Sequence, residues 1–253
     1  MMGRSSASER AFCTALICAV AFGLPAFAGD AQDALRQGLM RNRGGEVTEA
    51  PMLARYISED GRAFILDRSQ GRPLLKFDDG PEIWVLAVSA APRGDVIYKN
   101  DLGEPVLRAT RLGGYTLFSE VRPAGAAASM AGPGAALRLP VLGPQALGDR
   151  LLQASYRAGR AARHTIVFQA EATPASSALI GDAAVITTLA ILRVAQRKNA
   201  GGMLAGLSKV LFEEGRKPSV SCANGVLRVV IAPADGVAGR PSSFRIEQVL
   251  RKS

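Results

Sequence analysis

The sequence predicts an α+β protein: an N-terminal antiparallel β-meander or small barrel, followed by a helical lobe with a C-terminal β-hairpin and a final strand. Three observations predict it. Short runs of alternating polarity, punctuated by Gly, Asp and Pro, fill the chain from Arg55 to Ser119, which is the antiparallel pattern. After residue 145 the apolar residues recur instead with helical period. Asn224-Gly225 then separates two strand-like runs, and this dipeptide suits a type I′ turn, whose two central residues both need positive φ.

Taken in order, the first element is an export signal. Arg4 and Arg10 make a cationic start, Ala11–Leu24 is an uncharged apolar run, and Pro25 ends it before Ala26-Phe27-Ala28. That small-x-small ending is what a signal peptidase accepts, so residues 1–28 are expected to be removed. The run is too short for a membrane anchor, which needs about 20 apolar residues. Phe12 and Ile17, preceding Cys13 and Cys18, are not the small residues of a lipoprotein site. Residues 29–54 read as a flexible leader.

The β-rich lobe is expected over residues 55–121. Its strands are Arg55–Ser58, Ala63–Leu66, Leu74–Phe77, Glu82–Val88, Asp95–Lys99, Val106–Thr110 and Tyr115–Ser119. Asp60-Gly61, Asp78-Asp79-Gly80-Pro81, Asn100–Gly103 and Gly113-Gly114 supply the turns. Such a series closes as a meander or small barrel. Residues 122–145 are rich in Pro, Gly and Ala, and such a composition predicts a connection without a long regular element.

The helical and β-hairpin lobe is expected over residues 146–253. Gln145–Arg163 places Leu147, Leu151, Ala154, Ala158 and Ala162 along one face, with Arg150, Arg157 and Arg160 to one side of it. Thr165–Gln169 reads as a strand. Thr173-Pro174 reads as an N-cap followed by proline at the first helical position, opening a helix that runs to Asn199. Its segment Ala183–Leu192 carries no charge, and at that length it predicts a core helix rather than a membrane span. Met203–Glu214 reads as a further helix, closed by Gly215. Val220–Cys222 and Val226–Ile231 form the hairpin, and Phe244–Val249 the final strand.

Composition bounds the function. With 48% hydrophobic residues in 253, the chain can bury a sizeable core, which excludes wholesale disorder. Aromatic residues make up 6%, too few for a platform that stacks single-stranded nucleic acid. Net charge is +9, and it is uneven. Residues 29–120 hold 12 basic and 14 acidic side chains, whereas residues 121–253 hold 17 basic and 7 acidic. A basic face outside the cytosol meets anionic lipid or polymer more readily than nucleic acid.

Motifs for chemistry are sparse. Cys222 is the one cysteine beyond the signal peptide, and His164 is the single histidine. A Cys222–His164 catalytic pair lacks a third orienting group, so Cys222 reads as a strand residue and His164 as a helix-end residue. Asp78, Asp79, Glu82, Asp95, Asp101 and Glu104 form an acidic group in the first lobe. Most stand beside Gly or Pro, where Asp bonds its own backbone in a turn. Phosphate-loop, dinucleotide and nucleophile-elbow patterns do not occur, and no cofactor or metal is expected.

One stretch is distinctive as a whole. It runs Arg72-Pro-Leu-Leu-Lys-Phe-Asp-Asp, Glu82-Ile-Trp, Pro92-Arg-Gly-Asp-Val-Ile-Tyr-Lys-Asn-Asp to Gly103, and Thr110-Arg-Leu-Gly-Gly-Tyr-Thr-Leu-Phe118. It resembles a family of exported alphaproteobacterial proteins described only as a domain of unknown function. The resemblance implies an envelope setting and one structural unit spanning both lobes. It implies no activity, cofactor or site.

The sequence therefore favours a periplasmic or secreted, non-enzymatic binding or assembly factor for an anionic envelope polymer or lipid, with no nucleic-acid partner and no transmembrane segment once the signal is removed. Arg150, Arg157 and Arg160 are its candidate ligand-binding residues. The alternative is a carboxylate-dependent hydrolase of an envelope polymer using residues such as Asp78 and Asp95.

Overall fold

The structure, a computed structural model, describes residues 51–198 and 200–252. The expected signal peptide and the leader up to residue 50 lie outside the described residues.

The first lobe is a nine-stranded antiparallel sheet. Its strands are β1 (Leu53–Ser58), β2 (Ala63–Asp67), β3 (Leu74–Phe77), β4 (Ile83–Val85), β5 (Ala87–Ala90), β6 (Val96–Lys99), β7 (Pro105–Ala109), β8 (Tyr115–Leu117) and β9 (Ala126–Pro133). Their spatial order is β4-β3-β2-β1-β9-β8-β7-β6-β5. The two ends of this order, β4 and β5, are separated in the chain by Leu86 alone. The sheet must therefore curl back on itself, so that of the expected meander or small barrel a nearly closed barrel forms, with β4 and β5 adjacent but unpaired. Alternation fills the inside: along β1, Ala54, Tyr56 and Ser58 are buried while their neighbours are partly exposed.

Rings line the interior and lead out of it. Tyr115 packs on Tyr56 at 4.7 Å, Tyr56 stacks on Phe64 at 5.4 Å, and Phe64 meets Phe77 at 6.0 Å. Phe77 then meets Trp84 edge-on at 5.4 Å, and Trp84 meets Phe244 of the second lobe at 5.2 Å.

Two differences from expectation concern this lobe. The single run Glu82–Val88 is two strands, because its halves pair with different neighbours, β4 with β3 and β5 with β6. The connection over residues 122–145 holds β9, the longest strand of the sheet. Its Ala- and Ser-rich sequence has weak strand propensity, but hydrogen-bonded partners on both sides, β1 and β8, supply the ladder.

The second lobe packs helices on a small mixed sheet. It runs α1 (Pro144–Ala162), β10 (Val167–Ala170), α2 (Ser177–Ala195), α3 (Ala200–Leu204), β11 (Lys209–Glu214), β12 (Ser219–Ala223), β13 (Val226–Ile231) and α4 (Ser243–Leu250). The sheet order is β10-β11-β13-β12. β10, β11 and β13 are parallel, and β12 joins β13 antiparallel. α2 is buried nearly all round: Ile180, Ala184, Ile186, Ala190, Ile191 and Val194 have no exposed surface. By length and composition α2 could cross a membrane, yet it packs against α1, α4 and the sheet as a core helix. The hairpin turn forms as expected, with φ of 51° at Asn224 and 76° at Gly225.

Three expectations fail here. Met203–Glu214 is not one helix, since its second half is strand β11. Val210 and Phe212 alternate into the core, and pairing with β10 and β13 on both sides overrides local helix propensity. Gly215 closes no helix; its N–H donates to the Ile231 carbonyl at 2.7 Å. The final strand Phe244–Val249 is helix α4. Ser242 caps it by accepting from the Arg245 N–H at 3.1 Å, and Ile246 and Leu250, four residues apart, face the core. The long helix also starts late, at Ser177, because Thr173 begins a turn whose carbonyl accepts from Ser176 and Ser177.

The lobes are joined through both apolar and polar contacts. Leu74, Ile83 and Leu137 make a small shared cluster with Val237. Arg240, buried, donates through Nη2 to the Ile83 carbonyl at 2.9 Å and pairs through Nε with Asp182. It thereby caps one backbone acceptor of β4, where the barrel's two ends meet.

Candidate functional site: a basic helix face and an interlobe cleft

α1 carries the sequence-predicted arginines. Its core face is Leu147, Ala154 and Ala158. Arg157 and Arg160 are exposed, and among the described residues neither is in an ion pair. Arg160 lies 5.8 Å over the Tyr156 ring. Arg150 differs from these two. It is half-buried, and its side-chain stem runs close to Gly181 of α2, so the three arginines spread from the helix flank to its outer face. Beside them the helix exposes Leu152 at 71% and Tyr156 at 65%. These two residues, absent from the sequence-based site, follow Gly148 and precede Arg160 at four-residue spacing, the signal that would have found them.

Asp78, Asp79 and Asp95 are each paired with an arginine. Arg55 donates to Asp78 at 2.7 Å and Arg62 to Asp79 at 3.2 Å. Arg108 pairs with Asp95, whose other oxygen accepts the Arg111 N–H at 3.2 Å. The Arg108 guanidinium, assisted by that backbone donor, holds the Asp95 carboxyl below the usual range. Asn100 Nδ2 donates to Glu104 at 2.9 Å. Among the described residues, no group of three or more His, Cys, Asp or Glu is arranged to hold a metal ion.

His164 and Cys222 are apart in role and partner. Both ring nitrogens of His164 face carbonyl oxygens, Nδ1 that of Ala162 at 3.0 Å and Nε2 that of Leu207 at 2.7 Å. The ring thus ties the end of α1 to the chain before β11. Cys222 is half-buried on β12 against the second-lobe core.

A concave site lies elsewhere, between the lobes. A cleft of about 400 Å³ opens between β4–β5 and the segments around β12 and α4. Trp84 and Phe244 form its aromatic wall, and Arg72, Arg240 and Arg245 line it with Glu82 and Asp101. Both carboxylates are already held at the start of α4, where the helix dipole favours them. Glu82 accepts from the Ser243 N–H at 2.9 Å and from its hydroxyl; Asp101 accepts from the Ser242 hydroxyl at 2.7 Å. Sequence reasoning did not find this site. Its sole local signal is Trp84, the only tryptophan; nothing in the spacing joins residue 82 to residue 243.

Fold and surfaces together define a two-lobed α+β protein, a nearly closed antiparallel barrel docked on a helix-covered mixed sheet, with a basic helix face and an interlobe cleft. Residues 34–250 match the family model described as a domain of unknown function (DUF4908), and the chain belongs to that family. No curated protein and no solved structure matches the chain.

Proposed function

We propose that the protein is exported on the signal peptide of residues 1–28 and acts in the periplasm or outside the cell as a non-enzymatic binding or assembly factor for an anionic envelope polymer or lipid. The observation that carries this reading is the outer face of α1, where exposed Arg157 and Arg160 stand without acidic partners among the described residues, beside exposed Leu152 and Tyr156. Arginines supply the attraction to an anionic surface, and an amphipathic aromatic flank suits an interface. Arg150 adds charge from the flank. The hydrolase alternative has weaker support, because Asp78 and Asp95 are each committed to an arginine.

Co-sedimentation with vesicles containing anionic phospholipid, and with purified peptidoglycan, tests the reading. Binding should fall as salt rises and vanish near 1 M, where the Debye length shrinks to about 3 Å. At ~1 kcal/mol per arginine near such a surface, the triple variant R150Q/R157Q/R160Q should bind about two orders of magnitude more weakly. A triple variant that binds both materials as well as the parent chain would overturn the proposal, as would binding indifferent to salt.

A further inference from the structure

We propose that the interlobe cleft is a binding site for a small organic anion, a carboxylate or sulfonate carried on a planar apolar body. Its volume, about 400 Å³, falls in the ordinary range of ligand pockets, roughly 300–1,000 Å³. Its wall suits an apolar ring: Trp84 and Phe244 meet edge to face at 83°, and Val85 and Val220 extend the surface. A further ring at this corner continues the row that already runs from the barrel interior.

The sign of the ligand follows from which charges are already committed. Glu82 and Asp101 are occupied by the serines that open α4. Arg240 is spent on Asp182 and the Ile83 carbonyl. Arg245 donates only at 3.3 Å, to the Asp101 carbonyl, and its side chain is exposed. Arg72 is exposed and in no ion pair among the described residues. The lining carries three guanidiniums against two carboxylates, a balance of +1, and the carboxylates turn oxygens to the serines of α4 whereas Arg72 and Arg245 keep donors open, so the site favours an anion with fork-like acceptors.

The probe is 8-anilinonaphthalene-1-sulfonate, an aromatic sulfonate, titrated into the full chain with excitation of Trp84. Since Trp84 is the only tryptophan, energy transfer to the dye has a single donor, and the competition and Arg72 variants below place the accepting dye in the cleft. Transfer should saturate, and phenylacetate should compete while uncharged 2-phenylethanol should not. R72Q and R72Q/R245Q, at unchanged melting temperature, should weaken dye binding at least ~tenfold, the loss of one charge-assisted contact. Should R245Q lower the melting temperature, R72Q alone decides, because Arg72 is exposed and in no ion pair among the described residues. The site is independent of the α1 face, so R150Q/R157Q/R160Q should leave the transfer unchanged. Dye bound without transfer from Trp84, equal competition by the alcohol, or an unaltered affinity in R72Q would each overturn the proposal.

Discussion

Asp67 ends β2 with its carboxylate fully buried, and four donors converge on it. The Ser69 N–H and hydroxyl reach one oxygen at 3.0 and 2.6 Å; Gln70 Nε2 and the Leu137 N–H reach the other at 3.2 and 3.0 Å. Burial opposes the charge, but the bonds from Ser69, Leu137 and Gln70 outweigh it and hold the carboxyl below its usual range. Its folded value is thus depressed, so its contribution is present above the unfolded value near pH 4 and is lost as pH falls through the folded one. D67N should therefore flatten the fall in melting temperature below about pH 4, and D67A should cost about 1–3 kcal/mol in urea unfolding by stranding the Leu137 N–H. An acid limb as steep in D67N as in the parent chain would remove Asp67 from that account. At this scale the sequence was partly legible. Asn100, read as a turn former, does accept from the Leu102 and Glu104 N–H groups. The bonds that Glu82 and Asp101 accept from Ser243 and Ser242 were not legible, because partners so distant in the chain leave no local pattern.

Among the elements, α2 was the plainest to read, because its uncharged segment has one physical outcome in a protein that buries a core. Two positions inside that segment are nonetheless unequal: Ile186 has no exposed surface, whereas Leu189 is half-buried. I186D should cost about 4 kcal/mol or more by placing an unpaired charge in the core. L189D should cost clearly less, since its carboxylate can reach water. Equal melting temperatures for the two variants would show that the helix lies otherwise. The elements misread share one cause. Lys209–Glu214 and Phe244–Val249 are short, and their types are set by neighbours: β11 by two flanking strands, α4 by the Ser242 cap and by packing on α2. In Phe244–Val249 the local clue to a helix is the four-residue spacing of Ile246 and Leu250. β9 escaped for the same reason, with small side chains whose strand state depends on β1 and β8.

For the whole molecule, the charge asymmetry and the two-lobed division were visible in composition, but not the cleft, which exists only because the barrel's β4–β5 segment meets α4 and β12. Barrel closure carries a consequence for the speed of folding. Every other neighbouring pair in that sheet is a hairpin or near-hairpin contact, whereas the β1–β9 pairing joins Ser58 to Ala128 and Ala54 to Pro133. Bringing such distant strands together costs loop entropy before any contact rewards it, and topologies with distant pairings fold slowly. The first strand must wait for the ninth. Gly125, which enters β9 at φ 90°, leaves no room for a Cβ against Thr116. In stopped-flow refolding followed by Trp84 emission, G125A should slow the folding rate. G113A, strained at a local turn with open space around it, should mainly speed unfolding. If both glycine variants change only the unfolding rate, strand nine docks after the barrier has been crossed, and the ring closes downhill.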